Sequence, residues 1–216
     1  MKDIQFEQLP ALFEQVAALF IEKKEELCAM DAKLGDGDLG LTMSKGFGAL
    51  PDLLRENASD ASGDCGKLLM KAGMKMSSLV PSTMGFLMSS GIMEGGKALK
   101  GRPAVDGSAL ADYLEGFAAG IQKRGKCQSG QRTIYDAIRP AADAARALVE
   151  AQSEATVDVV ISAAAEAAHS GVEATKNMTP IFGKAAVHAA QSAGVADQGA
   201  VAGYYMILGM RNYLNA

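Results

Sequence analysis

The sequence predicts an all-α fold in which eight helices run antiparallel as a bundle. Apolar residues recur at steps of three and four through most of the chain, beginning with Leu9, Leu12, Phe13 and Val16. Runs of alternating β-branched residues bounded by turns are nearly absent. The connections between consecutive helical segments are mostly short, which favours antiparallel neighbours.

In chain order, the eight helices are predicted at about residues 4–30, 39–55, 62–79, 84–99, 107–123, 133–150, 154–175 and 198–214. The periodic apolar residues that support the second and fifth helices are Met43, Phe47, Leu50, Leu54, Leu110, Leu114, Phe117 and Ile121. The seventh is rich in alanine, which suits close helix packing. Asp106, Thr133 and Asp197 are predicted N-caps of the fifth, sixth and eighth helices. Prolines at 10, 51 and 140 predict helix starts or kinks.

Composition indicates one domain over residues 1–216. Hydrophobic residues make up 49% and charged residues 21%, near the average for a globular domain. No apolar run approaches a bilayer span and the N-terminus lacks a signal core, so we expect a cytoplasmic protein without membrane contact. The net charge is -4 and the basic residues are scattered, which argues against nucleic acid as a partner. Cys28, Cys65 and Cys127 lie far apart, so neither a disulfide framework nor a zinc site is expected.

Four of the helix junctions are expected to gather at one end of the bundle, because alternate junctions of an antiparallel bundle lie at the same end. They read DAKLGDGDLG, VPSTMG, RGKCQSGQRT and TKNMTPIFGKAAVHAAQSAGVADQG, and each combines glycine with acidic, hydroxyl or basic residues. The junctions at the opposite end, ENASDAS, LKGRPAVDG and EAQSEA, are expected to be solvated turns.

The first of these loops carries Asp31, Asp36 and Asp38 within eight residues. Three carboxylates repel one another unless a cation lies among them, and hard oxygen ligands select Mg²⁺ or Ca²⁺. The spacing does not match an EF-hand, which leaves a Mg²⁺ site with open positions for substrate phosphates. Intervening glycines would permit the tight turn. The competing interpretation is a solvated Asp-Gly turn.

The other loops could contribute phosphate donors and a lid. Ser82 and Thr83 offer hydroxyl groups at a helix start, although a plain N-cap explains them about as well. Arg132 adds a guanidinium, with a surface charge as the alternative. The last loop is long enough to be a lid over the site. His169 and His188 are expected to be surface or packed residues rather than ligands.

The order of these motifs resembles the nucleotide-binding L subunit of dihydroxyacetone kinases. The motifs are Asp-x4-Asp-x-Asp-x-Gly, Ser-Thr-Met-Gly, Arg-Gly-Lys followed by Ser-Gly-Gln-Arg-Thr and Asp, and Gly-Lys-Ala followed by Asp-Gln-Gly. The resemblance covers essentially the whole chain. It implies an eight-helix antiparallel barrel with ATP or ADP bound at one end through two Mg²⁺ ions.

By motif match, the resemblance implies that Asp31, Asp36 and Asp38 ligate the metals. The residues it places at the nucleotide are Leu39, Gly40, Leu41, Thr42, Thr83, Met84, Gly130, Thr133, Lys184, Asp197, Gln198 and Gly199. No catalytic side chain is implied in this chain, because activation of the acceptor hydroxyl would fall to a partner.

The resemblance also implies partners. In the family a separate K subunit or domain holds the small ketose covalently on a histidine, so kinase activity requires a K-type partner. An M-type phosphocarrier would be needed if bound ADP is recharged in place, and homodimer formation stays open. The chain departs from the family at Leu39, at Pro81 and Ser82, and in the lid at Lys184 and Val187. Dihydroxyacetone and a related short sugar such as a tetrulose therefore both remain as substrates, and a regulatory module that holds nucleotide without turnover is the alternative function.

Overall fold

The computed structural model describes residues 3–187 and 189–214, and these ranges contain ten α-helices and one pair of two-residue strands. The elements in chain order are β1 (Ile4–Gln5), α1 (Leu9–Glu22), α2 (Lys24–Asp31), α3 (Leu39–Ala61), α4 (Cys65–Leu79), α5 (Thr83–Ala98), β2 (Ala104–Val105), α6 (Gly107–Gly125), α7 (Tyr135–Ala151), α8 (Val157–Thr175), α9 (Gly183–Val187) and α10 (Gln198–Leu214). Two 3₁₀ turns, Phe6–Gln8 and Ala189–Gln191, accompany them.

The long helices form a closed ring. Helices α1, α3, α4, α5, α6, α7, α8 and α10 each contact the next, and α10 returns to contact α1. Consecutive helices joined by short loops run antiparallel, so the ring has up-and-down topology. The all-α prediction is confirmed, with the small α9 and the separate α2 as additions to the eight helices expected.

The predicted apolar stripes form the core inside this ring. Phe13, Phe20, Phe47 and Phe117 are fully buried, and the rings of Phe20 and Phe47 stack with centroids 4.5 Å apart. A single hydrophobic cluster contains buried residues from every long helix. Burial of these side chains is the main favourable contribution to folding.

Close helix contacts depend on glycine where α5 meets α6. A Cβ at Gly116 would lie 2.7 Å from the carbonyl oxygen of Glu94, and one at Gly120 would overlap the carbonyl oxygen of Ser90. In the opposite direction, a Cβ at Gly91 would lie 2.7 Å from the ring of Phe117. The two backbones can approach this closely only because these positions lack a side chain.

The first predicted helix, residues 4–30, is wrong in its continuity. Ile4 pairs with Val105 in an antiparallel two-strand ladder, which extends the first residues instead of coiling them. The helix starts at Leu9, and Lys23, at ψ 7°, separates α1 from α2. Residue Pro10 lies in the first turn of α1, where its missing N–H costs nothing.

The predicted turn ENASDAS is also wrong, because α3 continues through it to Ala61. Leu54, Asn57 and Ala61 are buried on one face of the helix, and the buried Asn57 donates its Nδ2 to the carbonyl oxygen of Leu53 at 2.6 Å. The polar residues between them occupy the solvent face. The turn itself begins at Ser62, with φ of 55°.

The start of α6 agrees with the prediction from the sequence. Asp106 caps α6 by accepting a hydrogen bond from the backbone N–H of Ala109 at 2.7 Å, as predicted. The three cysteines are free thiols. Within the described ranges, every helix is too short or too polar to cross a bilayer.

We predict that Gly120→Ala destabilises the protein and that Gly48→Ala, on the exposed face of α3, does not. The new methyl at position 120 must displace the α5 backbone, at a cost of about 1–3 kcal/mol. A Cβ at Gly48 meets nothing within 4 Å, and alanine there should stabilise the helix by roughly 0.5–1 kcal/mol. Urea denaturation of both variants measures the difference. Equal stabilities would contradict the close-contact role of Gly120.

Candidate functional site

The four predicted loops do meet at one end of the ring. The side-chain amide of Gln198, at the start of α10, lies 3.2 Å from Asp31 Oδ1, and Lys184 Nζ of α9 lies 2.9 Å from Asp36 Oδ2. A Cβ at Gly199 would lie 3.0 Å from Met84 Cε at the start of α5 and 3.4 Å from the backbone nitrogen of Ile134. The last loop therefore contacts each of the other three.

Asp31 organises the first loop. It is the last residue of α2 and is buried, and its Oδ2 accepts hydrogen bonds from the backbone N–H groups of Gly37 at 2.9 Å and Asp38 at 3.1 Å. The φ of Gly37 is 78°, in the left-handed region that favours glycine. A Cβ at Gly35 would overlap the Asp31 carboxylate. These glycines thus allow the turn to fold around one carboxylate.

Asp31, Asp36 and Asp38 each offer a carboxylate oxygen, and these oxygens lie within 4.8 Å of one another. Asp36 and Asp38 are exposed, so their side chains can rotate. Two oxygens bound to one Mg²⁺ lie at most about 4.2 Å apart, twice the Mg–O distance. A hard oxygen donor set with this spacing fits Mg²⁺ after small rotations, and it leaves coordination positions open.

Lys184 reaches this acidic turn from the long last loop. Its hydrogen bond to Asp36 lowers the pKa of that carboxyl, and the same contact raises the pKa of the Lys184 ammonium. Both side chains are largely exposed, so the pair itself adds little stability. The pair matters because it brings a positive charge from the last loop beside the three carboxylates.

The start of α3 offers free backbone donors next to the acidic turn. Asp38 precedes the helix without a side-chain capping bond, and the Thr42 N–H already donates to the Asp38 carbonyl at 2.9 Å. The N–H groups of Leu39, Gly40 and Leu41 therefore remain at an uncapped helix N-terminus, which favours anions. Gly40 also lets α3 pack on α2, because a Cβ there would overlap the carbonyl oxygen of Lys24.

In the second loop, the plain N-cap interpretation holds for Ser82. Ser82 Oγ accepts a hydrogen bond from the Gly85 N–H at 3.0 Å and so caps α5. Thr83 is exposed at the first position of that helix, and Met84 lies against Gly199. The hydroxyl of Ser82 is thus engaged in the cap, whereas Thr83 is exposed to solvent.

Asp136 organises the third loop. The sequence did not identify it as a site residue, although it is the aspartate that ends the third motif. It is buried, and its two carboxylate oxygens accept hydrogen bonds from the N–H groups of Gly130 at 2.5 Å and Thr133 at 2.8 Å. Thr133 Oγ1 in turn accepts from the Tyr135 N–H at 3.2 Å, close to its predicted capping role. The surface-charge alternative for Arg132 is wrong, because this side chain is buried.

Asp197 caps α10 from a buried position, as predicted from the sequence. Its Oδ2 accepts a hydrogen bond from the Ala200 N–H at 2.8 Å, and its own N–H donates to Thr175 Oγ1 at 2.9 Å. Burial raises the pKa of Asp197 to about 6, while the N–H bond from Ala200 and the charge of Arg132 oppose that rise. The carboxylate thus holds the helix start in place.

His169 stands apart from these contacts. His169 is exposed on α8, with its ring edge against Tyr204 at a centroid distance of 5.3 Å, which fits the predicted surface role. His188 lies outside the described residues.

The model of the DAK2 domain family matches residues 33–212. The ADP-binding subunit DhaL of the PEP-dependent dihydroxyacetone kinase of Escherichia coli is 28% identical over 189 residues, which cover 88% of each chain. The DhaL subunit of kinase 1 of Listeria innocua is 30% identical over 179 residues, covering 83% of this chain and 82% of the relative. The L-erythrulose 1-kinase of Mycolicibacterium smegmatis is 30% identical over 189 residues, but the chain spans only 32% of its length.

Among solved structures, the dihydroxyacetone kinase of C. freundii in complex with AMP-PNP and Mg²⁺ superposes with a TM-score of 0.69 at 24% identity. The superposition covers 94% of this chain and 33% of that kinase. At this identity the similarity establishes the fold, so the all-α ring is that of one part of the larger kinase.

We predict that the pH dependence of stability changes in an Asp197→Asn variant. The pKa of Asp197 is about 6 in the folded state against an ordinary value of 3.8, so the folded state takes up a proton first. The wild type should therefore gain stability relative to the variant as the pH falls from about 6 toward 4, and lose it again as the pH rises. The gain should be at most about 3 kcal/mol. Urea denaturation across this range tests it, and a constant difference would contradict the raised pKa.

Proposed function

Because the chain belongs to the DAK2 domain family, we propose that it is the nucleotide-binding subunit of a kinase of the dihydroxyacetone kinase type. Membership places it in a family of dihydroxyacetone and triose kinases. We further propose that residues 1–216 form one nucleotide-binding domain that acts in the cytoplasm, without nucleic-acid or membrane partners. The carrying observation is the approach of three carboxylate oxygens to within 4.8 Å at the end where the four loops meet.

In this proposal Asp31, Asp36 and Asp38 hold two Mg²⁺ ions, which offset the negative charge of the phosphates of ATP or ADP. Asp31 is buried and fixed by three hydrogen bonds, so it sets the position of the site. The two exposed carboxylates adjust to the ligand. An oxygen-only donor set of this charge suits Mg²⁺ better than a softer metal.

The phosphates would lie against the uncapped start of α3. Leu39, Gly40 and Leu41 supply free backbone N–H groups there, with Thr42 beside them, and an anion at a helix N-terminus is stabilised by those donors and by the helix dipole. The Lys184 ammonium, which lies 2.9 Å from Asp36 Oδ2, would pair with a phosphate oxygen when nucleotide is bound. The remaining proposed contacts with the nucleotide are Thr83, Met84, Gly130, Thr133, Asp197, Gln198 and Gly199.

Residues 39–42 and Lys184 thus orient the terminal phosphoryl group, and the last loop limits access of water to it. None of these residues is proposed as a general base. The acceptor hydroxyl belongs to a sugar held by a K-type partner, and its activation is assigned to that partner.

An apolar rim beside the acidic turn supports the proposed partner. Leu41, Ile181, Phe182 and Val187 are between 40% and 81% exposed, and they lie on the segments that carry Asp38 and Lys184. Exposed apolar side chains concentrated beside a polar site are typical of a protein interface. We propose that the K-type subunit covers this rim during transfer, and that an M-type phosphocarrier uses the same face if bound ADP is recharged.

The proposed acceptor is a ketose of three or four carbons. The bacterial relatives of similar length are named as subunits of dihydroxyacetone kinases, whereas longer relatives include an L-erythrulose 1-kinase and a D-erythrulose kinase at 30% identity. Dihydroxyacetone and erythrulose are both ketoses with a terminal hydroxyl. The departures at Leu39 and Lys184 leave the choice between dihydroxyacetone and a tetrulose to experiment.

A second candidate is a regulatory module that holds nucleotide without turnover. The names of the DhaL relatives specify ADP binding, which both candidates require. Both candidates use the same site, so they differ only in whether phosphate leaves it.

We predict that Asp36→Asn weakens the binding of Mg-ADP at least ten-fold while the helices remain folded. Removal of a metal ligand should cost no less than removal of a residue that merely supports one, which costs about 10-fold or more. Isothermal titration calorimetry with circular dichroism measures both quantities. The matched control is Asp52→Asn on the exposed face of α3, where the aspartate pairs with Arg55 at 2.9 Å. Unchanged affinity in Asp36→Asn would refute the metal assignment.

We predict that the chain phosphorylates a ketose only in the presence of a K-type subunit. The experiment combines both proteins with ATP and Mg²⁺, offers dihydroxyacetone and erythrulose, and follows sugar phosphate and ADP. Omission of the K-type subunit should abolish product, because no residue assigned here holds the acceptor. Nucleotide binding without product, both with ATP and with ADP plus an M-type phosphocarrier, would support the regulatory module, and absence of nucleotide binding would overturn both candidates.

A further inference from the structure

Arg132 occupies an unusual position in the third loop, between Gly130 and Thr133. Only 2% of its surface is exposed, although it carries a permanent positive charge. Its φ is 56°, in the left-handed region that residues other than glycine rarely adopt. Such backbone strain persists only where surrounding contacts hold the residue in place.

The guanidinium of Arg132 contacts both ends of the long last loop, residues 176–196, which we call the lid segment. Its Nη2 donates to the carbonyl oxygens of Val195 at 2.8 Å and Ser192 at 3.3 Å, near the end of the segment. Its Nε donates to the carbonyl oxygen of Thr175 at 3.3 Å, immediately before the segment begins. One planar group therefore joins two points of the chain that lie about twenty residues apart.

Two further contacts close the base of the lid segment around this guanidinium. The Gly194 N–H donates to the carbonyl oxygen of Lys176 at 3.0 Å, and the Asp197 N–H donates to Thr175 Oγ1 at 2.9 Å. Thr175 is fully buried. The Arg132 charge also acts on the nearby Asp197 carboxylate, because it opposes the rise in pKa that burial causes.

Arg132 also connects the lid segment to the third loop. Gly130 and Thr133 lie on either side of Arg132 in the chain, and the Asp136 carboxylate accepts hydrogen bonds from the N–H groups of both. Movement of the lid base would therefore pull on the third loop. The carbonyl groups that Arg132 contacts are not among the proposed nucleotide contacts, so the role of Arg132 is indirect.

We propose that Arg132 is a positioning residue that fastens both ends of the lid segment to the third loop and thereby sets how long nucleotide stays bound. The fastening depends only on the contacts above, whereas the effect on residence time rests on the proposed function. Lysine would replace it incompletely, because an ammonium donates from one point and cannot span the carbonyls of Thr175 and Val195 together.

The first experiment measures amide hydrogen exchange at Gly194 and Asp197 in the nucleotide-free protein. Arg132→Met should accelerate exchange at both amides about ten-fold or more, since hydrogen bonds from a charged donor are lost, while amides of α5 and α6 keep their rates. Arg132→Lys should give an intermediate rate and also serves if the methionine variant does not fold. The control is Arg146→Met, which removes a half-buried guanidinium paired with Asp112 and Glu115 away from the lid segment.

The second experiment measures association and dissociation of a fluorescent ADP with Mg²⁺ by stopped flow. Arg132→Met should raise the dissociation rate about ten-fold and change the association rate less than about two-fold, because affinity changes fall mostly on dissociation. A dissociation rate in Arg132→Lys between those of the wild type and Arg132→Met would support a positioning role. Arg146→Met controls for general destabilisation, because it should lower stability without changing the dissociation rate.

Each result bears on one claim. Unchanged exchange at Gly194 and Asp197 in Arg132→Met would overturn the fastening role. Accelerated exchange with an unchanged dissociation rate would overturn the effect on residence time. Failure of the wild type to bind nucleotide, together with accelerated exchange in the variant, would overturn the proposed function and leave the fastening role intact.

Discussion

Electrostatic repulsion among three carboxylates in one short turn is the constraint on which the site depends. Asp31, Asp36 and Asp38 are brought to within 4.8 Å by backbone hydrogen bonds to Asp31 and by the left-handed conformation of Gly37. Such an arrangement is costly unless positive charge lies nearby. Lys184 supplies part of that charge from the lid segment, and in the proposed function divalent cations would supply the remainder.

The closed ring of helices holds that turn and its neighbours in place. The first loop joins α2 and α3, which pack closely because there is no room for a side chain at Gly40, and α6 packs closely on α5 for the same reason at Gly120. Rigid helices therefore fix the positions of the loop ends, while the loops themselves keep the conformations that ligand binding needs. Sites built in this way combine an ordered frame with adaptable contacts.

Two kinds of charged residue occur at this end of the molecule. Asp36, Asp38 and Lys184 are exposed and can rearrange around a ligand. Arg132 and Asp136 are buried, and among the described residues their hydrogen bonds go to backbone groups of the third loop, of Thr175 and of the lid segment. Buried charges are costly to leave without partners, so these two residues specify one loop arrangement instead of contacting ligand directly.

The sequence alone determined the fold class, most of the helices and the position of the acidic turn, because helical periodicity and glycine-bearing aspartate motifs depend on residues close together in the chain. It failed where distant residues decide the outcome. The pairing of Ile4 with Val105 kept the first residues out of the first helix, and burial of Asn57 and Ala61 extended α3 through a segment that looked like a turn. Only the tertiary structure showed that Arg132 is buried beneath the lid segment and that Asp136 holds the third loop. Local patterns cannot reveal these roles, since a charge becomes a structural tie only when carbonyl or amide groups from remote parts of the chain surround it.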